Sequence, residues 1–235
     1  MAADVLVVPA RCNGPRASGN GGWTAGALAQ RLDHDGPVTV RLMLPPPLET
    51  DLDVVRDGDG VRLERDGTAV ATAVPGSLPS PSVARRPVSL AEASDASTHY
   101  AGHRRHPFPT CLSCGPERAE GDGLRIFPGR LPDGRVAAPW HAHDVDVPLT
   151  WAALDCVGGW SSDIEHRPMV LGQMTAEVVR LPTAGETYVV VGEEVEVEGR
   201  KARTRSELLD DHGHLLARAE HVWIQVDPEV FNSLG

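Results

Sequence analysis

The sequence predicts an α+β protein of two halves of similar shape, each a curved antiparallel sheet with a helix laid against it. Strand-prone runs separated by Asp-Gly and related turns recur in both halves of the chain. Each half also holds one stretch with helical spacing, Gly21 to Leu32 and Leu149 to Cys156. The order is the same in both: a strand, the helix, a strand, a hairpin and a last strand. Internal duplication accounts for that order better than coincidence does.

In the first half, Val5 to Val8 reads as a strand ended by Pro9. In Gly21 to Leu32, Ala25 and Ala29 lie one turn apart, as do Leu28 and Leu32. Each interior Gly costs a helix ~1 kcal/mol relative to Ala, so this helix needs close packing against a sheet to reward its small side chains. Val38 to Leu44 is a strand stopped by three prolines, and Leu52 to Arg56, Val61 to Arg65 and Thr68 to Val74 are strands joined by Asp-Gly turns. Glycine accepts positive φ at little cost, which makes Asp-Gly a strong hairpin signal. Pro75, Pro79, Pro81 and Pro87 mark a linker, with a short helix over Ser89 to Ala96. The second half reads as strands over Leu124 to Phe127 and Arg135 to Ala138, the helix opening at Leu149, then Met174 to Leu181. Glu186 to Glu198, bent at Gly192, Lys201 to Leu209 and His214 to Val226 complete it. The expected organisation is an N-terminal half over 1–80, a linker over 81–110 and a C-terminal half over 111–235.

Composition bounds the function. At 41% hydrophobic, the 235 residues can fill a substantial core. A net charge of −11 with a single lysine, Lys201, argues against a nucleic-acid binder, which needs concentrated cations to meet phosphates. There is no apolar run of membrane-spanning length and no secretory signal, so cytoplasmic residence is expected. No Walker pattern and no dinucleotide fingerprint are present.

The repeated order resembles the hotdog fold, in which an antiparallel sheet wraps a central helix. Cys111-Leu112-Ser113-Cys114-Gly115 followed by Gly123-Leu124-Arg125-Ile126-Phe127 looks like the opening of small hotdog thioesterase-like proteins. Trp151-Ala152-Ala153-Leu154-Asp155 is similar to the helix that carries their acidic catalytic residue, and Gly21-Gly22 with Gly26 marks the first helix. The resemblance implies a tandem (double) hotdog and a thioesterase-like hydrolase acting on an acyl-CoA or related thioester. It leaves association of two copies open. The chain departs from the pattern before its second helix, where Asp146-Val147-Pro148-Leu149-Thr150 replaces the usual His-Gly-Gly. Pro148 offers no N–H there. Either backbone donors come from elsewhere, Gly21-Gly22 being the candidates, or the protein binds an acyl-CoA or another apolar ligand without cleaving it.

Asp155 is the first catalytic candidate, because a carboxylate in an apolar helix is costly to bury unless it is paired. It would activate water or attack the carbonyl; the plainer alternatives are a solvent-facing side chain or a helix cap. Thr175 ranks next, with Gln173, Ser206 and His166 as further polar candidates. Gly21, Gly22, Trp23 and Trp151 are substrate-binding candidates. Arg104 and Arg105 form the densest basic spot and could meet coenzyme A phosphates, with Arg11, Arg16, Arg125 and Arg167 as others. No cofactor is required. An alternative set, His103, His106, Cys111 and Cys114, has donors suited to tetrahedral zinc, against reduced thiols simply packed in the core. Cys156, with no histidine nearby in sequence, reads as packed.

Overall fold

The computed structural model describes residues 4–79 and 86–233. Pro81 and the start of the expected linker lie outside the described residues. In the first half, β1 (Val5–Val7) precedes α1 (Gly21–Ala29), followed by β2 (Val38–Leu42), β3 (Asp51–Asp57), β4 (Gly60–Arg65) and β5 (Thr68–Pro75). The helix α2 (Leu90–Thr98) leads to a second set: β6 (Gly129–Arg130), β7 (Val136–His141), α3 (Val147–Ser161), β8 (Met169–Val178), β9 (Thr187–Glu198), β10 (Lys201–Leu209) and β11 (Leu215–Gln225). A short helix, α4 (Pro228–Ser233), follows.

Among the described residues, eleven strands form one antiparallel sheet in the order β1-β3-β4-β5-β2-β8-β11-β10-β9-β7-β6. The order read outward from the β2–β8 seam is the same on both sides, apart from the added β6 hairpin at one edge. At the seam Val38 faces Ala176 and Thr39 faces Thr175. The hairpins turn where Asp-Gly predicts: at Asp66-Gly67 both residues take positive φ, 51° and 75°, which matches the twist of the flanking strands.

Both central helices lie on the same side of the sheet and against each other. A β-carbon on Gly22 would stand 2.5 Å from Asp155 Cβ, and one on Gly26 would stand 2.9 Å from Pro148 Cα and Trp151 Cβ. The bare glycines let α1 and α3 approach closely. Of the 15 residues of α3, 14 are buried, because α1 covers one side and strands β8 to β11 the other. Pro148 occupies the first turn of α3, where a missing N–H is harmless, and Asp146 Oδ1 caps the helix by accepting the Leu149 N–H at 2.6 Å. On the opposite face, α2 covers Ala137, Val189, Val191 and Leu209 with Val88, Ala93 and Ala96. Its start carries a reciprocal capping box between Ser89 and Glu92.

Three expectations are corrected. Leu124 to Phe127 is not a strand: the Leu124 and Ile126 N–H groups donate to the carbonyls of Leu112 and Ser113, so the run pairs with the preceding loop rather than with the sheet. The strand expected from Met174 starts at Met169, since Gly172 stays extended with Ile224 filling the space beside it. In β9 the irregularity lies opposite Arg203 and Thr204, which face Glu196 and Glu194 and leave Val195 as the extra residue. Gly192 instead allows close approach, as a β-carbon there would stand 2.4 Å from the Val157 carbonyl oxygen. Among the described residues no helix is long and apolar enough to cross a membrane.

Candidate functional site

Asp155 lies in the middle of α3 and is 2% exposed. Its Oδ2 accepts the Gly22 N–H at 2.9 Å, across the helix crossing. Its Oδ1 is buried and has no partner among the described residues. Burial pushes the carboxyl up to about 7, against the Gly22 N–H and the Asn20 side chain, which favour the charged form. Asp155 is among the residues lining a cavity of about 300 Å³, with Gly21, Leu42, Phe108, Trp160, Leu171 and Trp223.

The start of α1 forms one wall. Asn20 caps this helix through Oδ1, which accepts the Trp23 N–H at 2.8 Å. Trp23 and Gly22 are therefore spent on Asn20 and Asp155, which leaves the Gly21 N–H as the first-turn donor beside the cavity. Asn20 Nδ2 points to Cys111 Sγ at 3.6 Å and Ser113 Oγ at 3.5 Å, and Ser113 Oγ donates to the Ala152 carbonyl at 2.7 Å.

A second wall is the loop before β6. Cys111 and Cys156 bring their sulfurs to 3.5 Å, and Cys114 Sγ stands 3.3 Å from His106 Nε2. The sulfurs of Cys111, Cys114 and Cys156 all lie within 4.8 Å of one another, buried. Hydrogen bonds from Cys114 and Cys156 hold the Cys111 thiol below its ordinary range. Burial pushes Cys114 up, and contact with Cys111 does the same to Cys156. Tyr100 anchors this loop, donating its hydroxyl to the Cys114 carbonyl at 3.1 Å while its ring meets Trp160 edge-on.

Of the residues singled out in the sequence, the structure brings Asp155, Gly21, Gly22, Cys111, Cys114 and His106 together. It does not bring the others. Thr175 stands at the β2–β8 seam, its hydroxyl 2.8 Å from that of Thr39 and outside the cavity lining. Gln173 shares that strand and is half-buried. Trp151 packs on Gly26 in the helix crossing, and half-buried Trp23 also lies outside the lining. Arg104 and Arg105 are exposed and away from the lining; the arginine that belongs to it is Arg200, which donates to the Gln225 carbonyl at 2.8 Å. His103 is exposed, edge-on to Tyr100 and Phe127, and exposed His166 meets Asp163 at 2.8 Å. Ser206 lines a different cavity of about 310 Å³. Sequence reasoning missed Asn20, Arg200 and the role of Cys156 as a member of the cysteine group.

No family model matches the chain, and a search of curated proteins finds no match. Solved structures do match over most of their length. A hot dog fold protein of unknown function from Alicyclobacillus acidocaldarius superposes with a TM-score of 0.59 at 14% identity, covering 90% of this chain and 89% of that one. The tesB protein of Mycobacterium avium subspecies paratuberculosis gives 0.57 at 13% identity, covering 91% and 89%. The fold is a double hotdog. An acyl-CoA thioesterase II from Mycobacterium marinum is also similar, with a TM-score of 0.50 at 14% identity over 88% of this chain and 91% of that one. In this double hotdog the two central helices cross with Asp155 on one and its N–H donor, Gly22, on the other. The cavity thus draws its walls from both halves.

Proposed function

We propose that the chain hydrolyses an acyl-CoA or related thioester, with Asp155 as general base. The observation that carries this is the buried Asp155 carboxylate, one oxygen held by the Gly22 N–H and the other without a partner among the described residues, on a residue that helps line a largely apolar cavity. An unsatisfied buried carboxylate oxygen is costly, and a water or a substrate group in the cavity would satisfy it. The acyl chain lies against Leu42, Phe108, Trp160, Leu171 and Trp223. Oδ1 takes a proton from water as the water oxygen attacks the thioester carbonyl. The Gly21 N–H at the first turn of α1 donates to the developing oxyanion. Collapse breaks the carbon–sulfur bond, and the thiolate leaves with a proton, giving a carboxylic acid and a free thiol. The carrier's phosphates meet Arg200 near the cavity. The setting expected from the sequence, a cytoplasmic protein with a small-molecule partner, goes with this reading.

Asp155→Asn keeps an acceptor for the Gly22 N–H and removes the base. Turnover of short, medium and long acyl-CoAs should fall by about 10²- to 10⁴-fold in this variant while its circular dichroism stays unchanged. Equal turnover in both proteins removes Asp155 from the mechanism. The predominantly apolar lining favours a second reading, a protein that binds an acyl-CoA without cleaving it. Tight acyl-CoA binding by the natural sequence, with no thiol released over hours, selects that reading instead.

A further inference from the structure

Three buried thiols meet where a loop crosses a helix, a grouping the hydrolase reading does not use. Cys111 and Cys114 come from one tight turn, and Cys156 comes from α3, 45 residues away from Cys111. The turn is closed by the Cys111 N–H donating to the Phe108 carbonyl and the Gly115 N–H donating to the Cys111 carbonyl, both at 3.0 Å. Gly115 is confined: a β-carbon there would stand 2.6 Å from three backbone atoms of Pro109 and Cys111. The Cys-x₂-Cys-Gly turn therefore holds two sulfurs of the group on one tightly bonded loop.

The spacing fits a small thiophilic cation. Four donors placed tetrahedrally around zinc at Zn–S distances of ~2.3 Å put their sulfurs roughly 3.8 Å apart. The three sulfurs here all lie within 4.8 Å of one another, with Cys111 and Cys156 at 3.5 Å, so side-chain adjustments of at most about 1 Å would complete the set. Thiolate donors select zinc-like metals over hard cations.

His106 has a different part from the one its spacing implies. Its Nδ1 accepts the Phe108 N–H at 2.9 Å, so the neutral ring carries its proton on Nε2. That nitrogen faces Cys114 Sγ at 3.3 Å and is a donor there, with no lone pair to offer a metal. A ring N–H given to a metal-bound thiolate is an outer-sphere contact that steadies the ligand. His103, the other imidazole of the expected set, is exposed and turned to Tyr100 and Phe127.

We propose that Cys111, Cys114 and Cys156 bind a zinc-type divalent cation as three thiolates, with the His106 Nε2–H donated to Cys114 and water as fourth ligand on the cavity side. All three cysteines line the cavity. Binding releases the three thiol protons to solvent and ties the loop to α3 at the residue after Asp155.

The test uses the full chain purified under reducing conditions. Elemental analysis should find one zinc per chain, and Co²⁺ added to metal-free protein should give thiolate charge-transfer absorption of three-sulfur intensity with the visible bands of a tetrahedral ion. Cys111→Ser and Cys156→Ser should each abolish stoichiometric Zn²⁺ binding. Cys12→Ser and His103→Ala should leave it intact, since neither residue belongs to the group. His106→Ala should keep the one-to-one stoichiometry and weaken Zn²⁺ by roughly 10- to 100-fold. These readouts stand apart from hydrolysis, so a failure of the thioesterase reading leaves them unaffected. Reduced protein with four titratable thiols that takes up neither Zn²⁺ nor Co²⁺ overturns the proposal. So does a Co²⁺ spectrum of two-sulfur intensity, or binding that depends on His103. Because the natural sequence alone supplies the sulfur count, the outcome is decided even if a cysteine variant does not fold.

Discussion

His221 on β11 is 2% exposed, and a β-carbon on Gly158 of α3 would stand 2.7 Å from its Nδ1. That nitrogen lies 3.2 Å from Thr204 Oγ1, and Nε2 is buried with no partner among the described residues. The groups around it, Thr204 on β10, Met174 on β8 and Gly158 on α3, carry no charge to stabilise an imidazolium. Burial accordingly pushes its pKa down to about 4 from the ordinary imidazole value of 6.5. The sign follows from proton binding. Between those two pH values the unfolded chain takes up a proton that the folded chain refuses, so stability is full above pH 6.5 and is lost as pH falls towards 4. A shift of that size is worth roughly 3 kcal/mol. Asp155 and His106 titrate in the same window in both proteins, so urea titrations at pH 7, 5.5 and 4 should show this loss as the difference in slope between the natural sequence and His221→Gln. An equally steep loss in His221→Gln would place the pH sensitivity elsewhere.

The crossing of α1 over α3 depends on which glycines lack a β-carbon. A methyl group on Gly22 meets Asp155 Cβ at 2.5 Å and the Trp151 carbonyl oxygen at 2.8 Å, one of them backbone that cannot swing aside. Alanine gains up to ~1 kcal/mol of helix propensity over glycine. Overpacking at a closed contact costs about 1–3 kcal/mol, and here displacing α1 also lengthens the Gly22 N–H bond to Asp155. Gly22→Ala should therefore lower the urea midpoint by an amount equivalent to about 1–2 kcal/mol. A midpoint at or above that of the natural sequence would show that the helices can separate without cost. The same geometry explains what was legible in the sequence. The glycine- and alanine-rich run gives α1 away because only close packing rewards such residues, and Asp-Gly turns give the hairpins. Met169 to Gln173 reads poorly as a strand because Gly172 looks like a breaker, until Ile224 is seen beside it. Asp155 stands out as a carboxylate among apolar neighbours. Cys156 does not, because what distinguishes it is a contact with a residue 45 positions away. The spacing of His103 and His106 points equally to both imidazoles, and only the fold shows one facing the thiols and the other exposed.

At the scale of the whole molecule, the two halves share a sheet and a core. Strand β2 pairs with β5 of its own half and with β8 of the other, so the sheet has no break at the seam. One cluster of buried side chains runs from Leu6 and Leu52 through Leu28 and Leu154 to Trp223. Removing either half would expose the seam edge of β8 or β2 and uncover one face of a helix whose residues are nearly all apolar. Unfolding should therefore be one cooperative transition rather than two. The tryptophans make this testable, since Trp140, Trp151, Trp160 and Trp223 report on the second half and Trp23 alone on the first. Circular dichroism weighs strands from both halves. Urea curves followed by tryptophan fluorescence and by far-ultraviolet circular dichroism should coincide in midpoint and slope, for protein of defined metal content. A dichroism change that begins at lower urea than the fluorescence change would mean that β1 to β5 come away while the second half stays folded, and that the seam contributes little to holding the halves together.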